Sequence, residues 1–199
     1  VVVMYNGSEN YFKSFHKSTI SVSKRMVDIN LTVPEVYFDQ QGRATISISP
    51  AGSDSTATIT VNGKRKIIYL YSSRPITLDL GYFSEGEYNV TVAYMENNYF
   101  RAESVTAVLK VKRYETSFNI TAPDIKLGET QTISIAISPE GFSGYAILNI
   151  NGNDYEVFLE NSSTDITVPN LKAGQYNINL IYNGDDKYAP STASASFRV

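Results

Sequence analysis

The residues that could do chemistry in this chain are few, and their spacing builds no catalytic set. Among 199 residues there is one histidine, His16, and no cysteine. Without thiols, disulfides and thiolate metal sites are excluded. A nucleophilic triad needs an imidazole beside the hydroxyl it activates, and His16 lies in a short N-terminal segment, outside the two long units described below. It reads as a surface strand residue. Carboxylates are the remaining ligand class, because calcium takes oxygen from Asp, Glu and carbonyl groups. Asp185-Asp186 is the densest cluster, but no Asp-x-Asp-x-Asp spacing accompanies it, so it reads as a solvated turn. A Lys–Asn cross-link would need Asn on a closing strand. Neither 103–111 nor 191–199 contains one. The chain is read as non-enzymatic, with no metal and no cofactor.

Two other sets of residues suit modification or contact. Asn6, Asn30, Asn89, Asn119 and Asn161 each open an Asn-x-Ser/Thr triplet, the acceptor for N-glycosylation. The aromatic pair Tyr99-Phe100 sits between strand-like runs, as does Tyr11-Phe12. A paired aromatic in a loop can stack on a sugar ring or anchor a protein partner, so Tyr99 and Phe100 are the candidate partner contact.

Charge and hydropathy narrow the partners. A net charge of −3 and a pI near 5.2 lack the basic footprint of a nucleic-acid binder. No apolar run nears the roughly 20 residues that span a bilayer, so this segment is not expected to insert into a membrane.

The elements that position these residues come in copies. Tyr182-Asn-Gly-Asp-Asp-Lys-Tyr188 has counterparts in Tyr94-Met-Glu-Asn-Asn-Tyr99 and Tyr5-Asn-Gly-Ser-Glu-Asn-Tyr11, separated by 182 − 94 = 88 and 94 − 5 = 89 positions. Asn30-Leu-Thr-Val-Pro34 matches Asn119-Ile-Thr-Ala-Pro123, and Ile46-Ser-Ile-Ser-Pro50 matches Ile135-Ala-Ile-Ser-Pro139. A constant period marks an array of like units. The units run over 23–111 and 112–199, and 1–22 aligns with the end of another.

Within a unit the period is two. Ala44, Ile46 and Ile48 alternate with Thr45, Ser47 and Ser49, and Ile133, Ile135 and Ile137 repeat the pattern. Such alternation marks strands with one face on a core and one in water. Asn62-Gly63 and Asn151-Gly152 are hairpin turns, since both residue types tolerate positive φ. Ser49-Pro50 and Ser138-Pro139 end strands, because proline cannot donate to a ladder. Counting between stops gives about seven strands per unit. The fold expected is all-β: tandem immunoglobulin-like sandwiches, preceded by a hairpin. Tyr88 and Tyr176 each follow a glycine by two positions, where such sandwiches carry a tyrosine corner.

The run Leu171-Lys-Ala-Gly-Gln-Tyr through Ser-Phe-Arg-Val199, with the hairpin at Asn151-Gly152, resembles the closing third of bacterial Ig-like (group 3) repeats. These repeats are abundant in adhesin-like surface proteins of methanogenic archaea and occur in bacterial surface proteins. The resemblance implies an extracellular or cell-surface location and stacked sandwiches. It fixes no ligand and no catalytic residue.

The expected role is a structural stalk or adhesion repeat that spaces a distal head and adheres by multivalency. The alternatives are a carbohydrate- or protein-binding module, or a filament subunit assembled by strand donation through 1–22. Partners are neighbouring repeats of the same or another chain, with a cell-surface glycan or protein as the further ligand. Lys112-Arg113 follows the first unit with no Gly/Ser or Pro-rich linker, so the units are expected to join through nearly continuous chain.

Overall fold

The computed structural model describes residues 1–199, which form strands and turns without a helix. A hairpin of β1 (Val2–Tyr5) and β2 (Ser14–Lys17) opens the chain. Eight strands follow: β3 (Asp28–Thr32), β4 (Val36–Tyr37), β5 (Gly42–Ser49), β6 (Ser55–Val61), β7 (Lys64–Leu70), β8 (Ile76–Gly81), β9 (Gly86–Tyr94) and β10 (Glu103–Lys112). The last seven are β11 (Ser117–Thr121), β12 (Gln131–Ser138), β13 (Gly144–Ile150), β14 (Asn153–Leu159), β15 (Ser163–Val168), β16 (Gln175–Tyr182) and β17 (Ser191–Arg198).

The sheets come in matched sets. A three-stranded sheet β3-β5-β8 accompanies a five-stranded sheet β4-β10-β9-β6-β7, and β11-β12-β15 accompanies β14-β13-β16-β17. Consecutive strands cross repeatedly between two sheets, as an immunoglobulin-like sandwich requires. Alternation along the strands explains the layering. In β12, Ile133, Ile135 and Ile137 are buried while their neighbours face solvent. They meet Leu148 and Ile150 of β13, Val157 and Leu159 of β14, Ile178 and Leu180 of β16, and Phe197 of β17 in one core. Each such side chain contributes about 1.5–3 kcal/mol through removal from water.

Turn chemistry closes the hairpins. Asn62 and Gly63 have φ of 46° and 74°, and Asn151 and Gly152 have 48° and 89°. Two consecutive left-handed residues are what a type I′ turn demands, and the sequence supplies them.

The earlier copy has one strand more than the expected seven. Beyond Pro34, Val36 and Tyr37 pair in parallel with Val111 and Lys112. In the later copy the same place holds a single backbone bond, Ile125 N to Arg198 O at 3.0 Å, beside Arg198 N to Asp124 Oδ1 at 2.7 Å. An aspartate side chain there takes the place of ladder.

Compactness divides the chain into two units. One comprises residues 1–31, 45–76 and 91–106, and the other residues 32–44, 77–90 and 107–199. The first contains the hairpin β1–β2 and the strands β6 and β7. The second contains β4 and all of β11 to β17.

Candidate functional site: the cluster around Tyr114

The densest set of specific contacts gathers on Tyr114. Its main chain is stitched to the loop after β16: Tyr114 N donates to Lys187 O at 2.8 Å, and Ala189 N donates to Tyr114 O at 2.9 Å. Thr116 Oγ1 adds a bond to Ala189 O at 2.9 Å. That loop holds its own shape because Asp185 Oδ1 accepts from the backbone N–H groups of Lys187 and Tyr188, both at 2.7 Å.

Tyr37 stacks on Tyr114 with ring centroids 4.4 Å apart and planes 8° from parallel. The Tyr114 hydroxyl donates to Asp39 Oδ1 at 2.9 Å, and Lys187 Nζ lies 3.0 Å from Asp39 Oδ2. The Lys187 ammonium also sits 5.6 Å from the Tyr114 ring centroid and 5.5 Å from that of Tyr188, within cation–π range. Tyr188 meets Phe142 edge to face at 5.1 Å, and Phe142 meets Tyr182 the same way. An aromatic chain therefore runs from Tyr37 through Tyr114, Tyr188 and Phe142 to the buried Tyr182.

Charge follows the geometry. The hydrogen bond from Lys187, then that from Tyr114, hold the Asp39 carboxyl below its ordinary value. The same bond raises Lys187, and the Asp39 carboxylate raises the Tyr114 phenol. Burial, followed by the neighbouring Asp185, pushes the Tyr182 phenol far up. Around the cluster, Arg113 pairs with Glu85 and donates through Nη1 to Asp185 O at 3.1 Å, while Lys112 pairs with Glu35 at 2.6 Å. All these residues lie in the unit of residues 32–44, 77–90 and 107–199. Rings, donors and a shared carboxylate can hold two segments together. They include no base aimed at a nucleophile.

The residues singled out from sequence take the following places. Tyr99 is 74% exposed, whereas Phe100 is 4% exposed, so only Tyr99 of this pair presents its ring to solvent. Asn97 Oδ1 fixes the loop by accepting from the backbone N–H groups of both, at 2.9 Å each. Asn6, Asn30, Asn89, Asn119 and Asn161 are all exposed. Asn30 and Asn119 project from β3 and β11, and Asn161 occupies a turn with φ of 48°. The Tyr88 hydroxyl donates to Ser84 O and the Tyr176 hydroxyl to Lys172 O, each at 3.1 Å and four residues back. His16 lies on the exposed β2, and no three His, Asp or Glu side chains converge to hold a metal.

Sequence reasoning did not single out Tyr37, Asp39 or Lys187. The period itself hides them. Adding 89 to 37 and 39 reaches Lys126 and Gly128, and subtracting 89 from 114 reaches Arg25, so the cluster has no second copy. The backbone stitch does repeat: Arg25 N donates to Tyr99 O at 2.8 Å, and Arg101 N donates to Arg25 O at 3.0 Å.

No protein-family model matches the chain, and no curated protein sequence matches it. Solved structures do. The titin domains Z1 and Z2, crystallised in complex with telethonin, match at TM-score 0.52 and 13% identity, covering 89% of this chain and 98% of that one. The fibronectin(III)-like modules of CbhA from Clostridium thermocellum match at TM-score 0.38 and 14% identity, covering 86% and 94%. A chain from a 1.5-MDa bacterial ice-binding adhesin matches at TM-score 0.37 and 13% identity, covering 88% of this chain and 65% of that one. At such identity the titin match speaks to fold alone, and the fold is immunoglobulin-like.

Proposed function

We propose that this chain is a structural repeat segment of a large secreted or cell-surface protein. Residues 23–111 and 112–199 are successive immunoglobulin-like sandwiches, and residues 1–22 are the closing hairpin of another. The kinship is with group 3 bacterial Ig-like repeats of adhesin-like proteins. The role is mechanical: spacing a distal head and adhering through many copies, since multivalency amplifies a feeble single contact.

The observation that carries this reading is the direct bonding around Tyr114. Its backbone is tied to Lys187 and Ala189, while its ring and hydroxyl are held by Tyr37 and Asp39. No flexible linker separates the two copies. The parallel pairing of Val36 and Tyr37 with Val111 and Lys112 adds support, because strands paired in parallel near the two ends of a unit carry tension as shear. Single-molecule pulling on the whole chain tests it. Two force peaks are expected, each releasing about 30 nm, the contour length of one period at about 3.5 Å per residue. One merged step, or extension without a peak, would remove the mechanical reading.

A second reading, a carbohydrate- or protein-binding module, rests on the exposure of Tyr99. It expects Tyr99→Ala to abolish binding on a glycan or cell-surface array. No binding by the parent chain leaves the stalk reading alone, and binding that survives the substitution removes Tyr99 as the contact.

A further inference from the structure

The hairpin β1–β2 is a copy of β16–β17 without its cover. The separation is constant at 182 − 5 = 177 positions. Val2 opposite Lys17 and Tyr5 opposite Ser14 reproduce Asn179 opposite Ser194 and Tyr182 opposite Ser191. The bends agree as well. Gly7 and Gly184 have φ of 86° and 80°, and a Cβ on either would sit 2.9–3.0 Å from the carbonyl oxygen of Tyr11 or Tyr188. Ser8 N reaches Tyr11 O at 2.9 Å, just as Asp185 N reaches Tyr188 O at 3.0 Å.

Burial separates the two hairpins. Ile178, Leu180, Tyr182 and Phe197 lie in the core, none more than 5% exposed. Their counterparts Val1, Val3, Tyr5 and Ile20 are 46–69% exposed. Edges differ too. β16 is bonded on one side by β17 and on the other by β13, whereas β1 is bonded only by β2. An open, apolar strand edge templates the addition of another strand.

We propose that the free edge of β1 and the apolar face of the hairpin are the acceptor for the front five strands of a further immunoglobulin-like repeat joined to Val1. The proposal rests on the repeat reading above and names the partner's chemistry. Its third strand must pair antiparallel with β1, as Ile147–Ile150 pairs with Ile178–Ile181. It must also present small and branched residues inward, as Ala57, Ile59 and Val61 do before Asn62-Gly63 and Ala146, Leu148 and Ile150 do before Asn151-Gly152. A second copy of this chain cannot supply that strand, because β6 and β13 are already bonded on both edges.

The test extends the whole chain at Val1 with residues 113–177 of its own sequence, which brings residue 177 into register before the hairpin. Amide exchange at Val2–Tyr5 is expected to slow by about 100-fold or more as the edge becomes core, and trypsin cleavage after Lys13 and Lys17 to stop. A parallel extension with residues 25–89 covers the case in which one front fails to fold. If neither extension protects the hairpin, the proposal falls. Binding of the unextended chain to phosphatidylserine vesicles, lost in Phe12→Ser with Phe15→Ser, would assign the face to lipid and also overturn it. Force peaks from residues 23–199 do not depend on this result, so the two readings fail separately.

Discussion

Tyr37 and Tyr114 lie ring against ring at 4.4 Å, nearly parallel, although 114 − 37 = 77 positions of chain separate them. Asp39 then closes the contact by accepting from the Tyr114 hydroxyl. A stacked pair of this kind contributes about 0.5–1.5 kcal/mol beyond its buried area. In a double-mutant cycle on Tyr37→Ala and Tyr114→Ala, followed by urea denaturation, the coupling should fall in that range. Additive effects of the two substitutions would mean that the rings touch without cooperating.

Asp39 makes the cluster sensitive to acid. Bonds from Lys187 and Tyr114 depress its folded-state pKa, so its stabilising effect is present above the unfolded carboxylate value, near 3.9. That effect is lost as pH falls through the lower folded value. Lys187 has the opposite sign: its raised pKa contributes below the unfolded lysine value and is lost as pH rises through the folded one. Thermal melts should therefore show Asp39→Asn less stable than the parent at neutral pH, with the two curves converging in strong acid. A constant offset at every pH would contradict the role of the charge.

The fold was legible in the sequence because its signals are local. Ile133, Ile135 and Ile137 announce a half-buried strand by alternation alone, and Asn151-Gly152 announces its turn by φ preference. The strand β4 was not legible. Two residues are too few to show a period, and their partners Val111 and Lys112 lie 75 positions away, 111 − 36 = 75. The cluster around Tyr114 escaped for a related reason. Repetition draws attention to what recurs, and Tyr37 and Asp39 stand where the other copy has Lys126 and Gly128. Tyr99 and Phe100 looked alike in sequence. Tertiary packing alone made one exposed and the other core.

Tyr176 stacks on Phe197 at 5.1 Å with planes 7° apart, while its hydroxyl reaches back to Lys172 O. Tyr176→Phe keeps the ring and deletes the bond. Loss of about 0.5–1.5 kcal/mol is expected for a bond of this type, against a larger loss for Tyr176→Ala, which also removes the half-buried ring from Phe197. Unchanged stability in Tyr176→Phe would show that the hydroxyl contributes nothing.

The five Asn-x-Ser/Thr triplets give a direct mass prediction. Asn30 and Asn119 occupy equivalent strands, β3 and β11, and both side chains are exposed. Secretion from a host with an N-glycosylation pathway should yield a ladder of glycan increments in the intact mass. Asn30→Gln and Asn119→Gln should each remove one rung. An unmodified mass from such a host would reduce the repeated triplet to a by-product of duplication.

Glycine at two turns separates backbone conformation from close packing. Gly152 and Gly184 both have positive φ, at 89° and 80°. Around Gly152 an added Cβ meets nothing within 4 Å, so Gly152→Ala carries only the left-handed penalty of about 1–2 kcal/mol. At Gly184 the same atom would come within 2.9 Å of Pro190 N and 3.0 Å of Tyr188 O. Both are backbone atoms, and Tyr188 is tied in turn to Phe142 and Tyr114. Relief requires moving the loop that holds Asp185 and Lys187. Gly184→Ala should therefore cost clearly more than Gly152→Ala in denaturant titrations, and it should weaken the Tyr37–Tyr114 coupling measured in the double-mutant cycle. If Gly184→Ala proves no worse than Gly152→Ala, the loop after β16 yields easily, and the cluster around Tyr114 cannot be a rigid fastening.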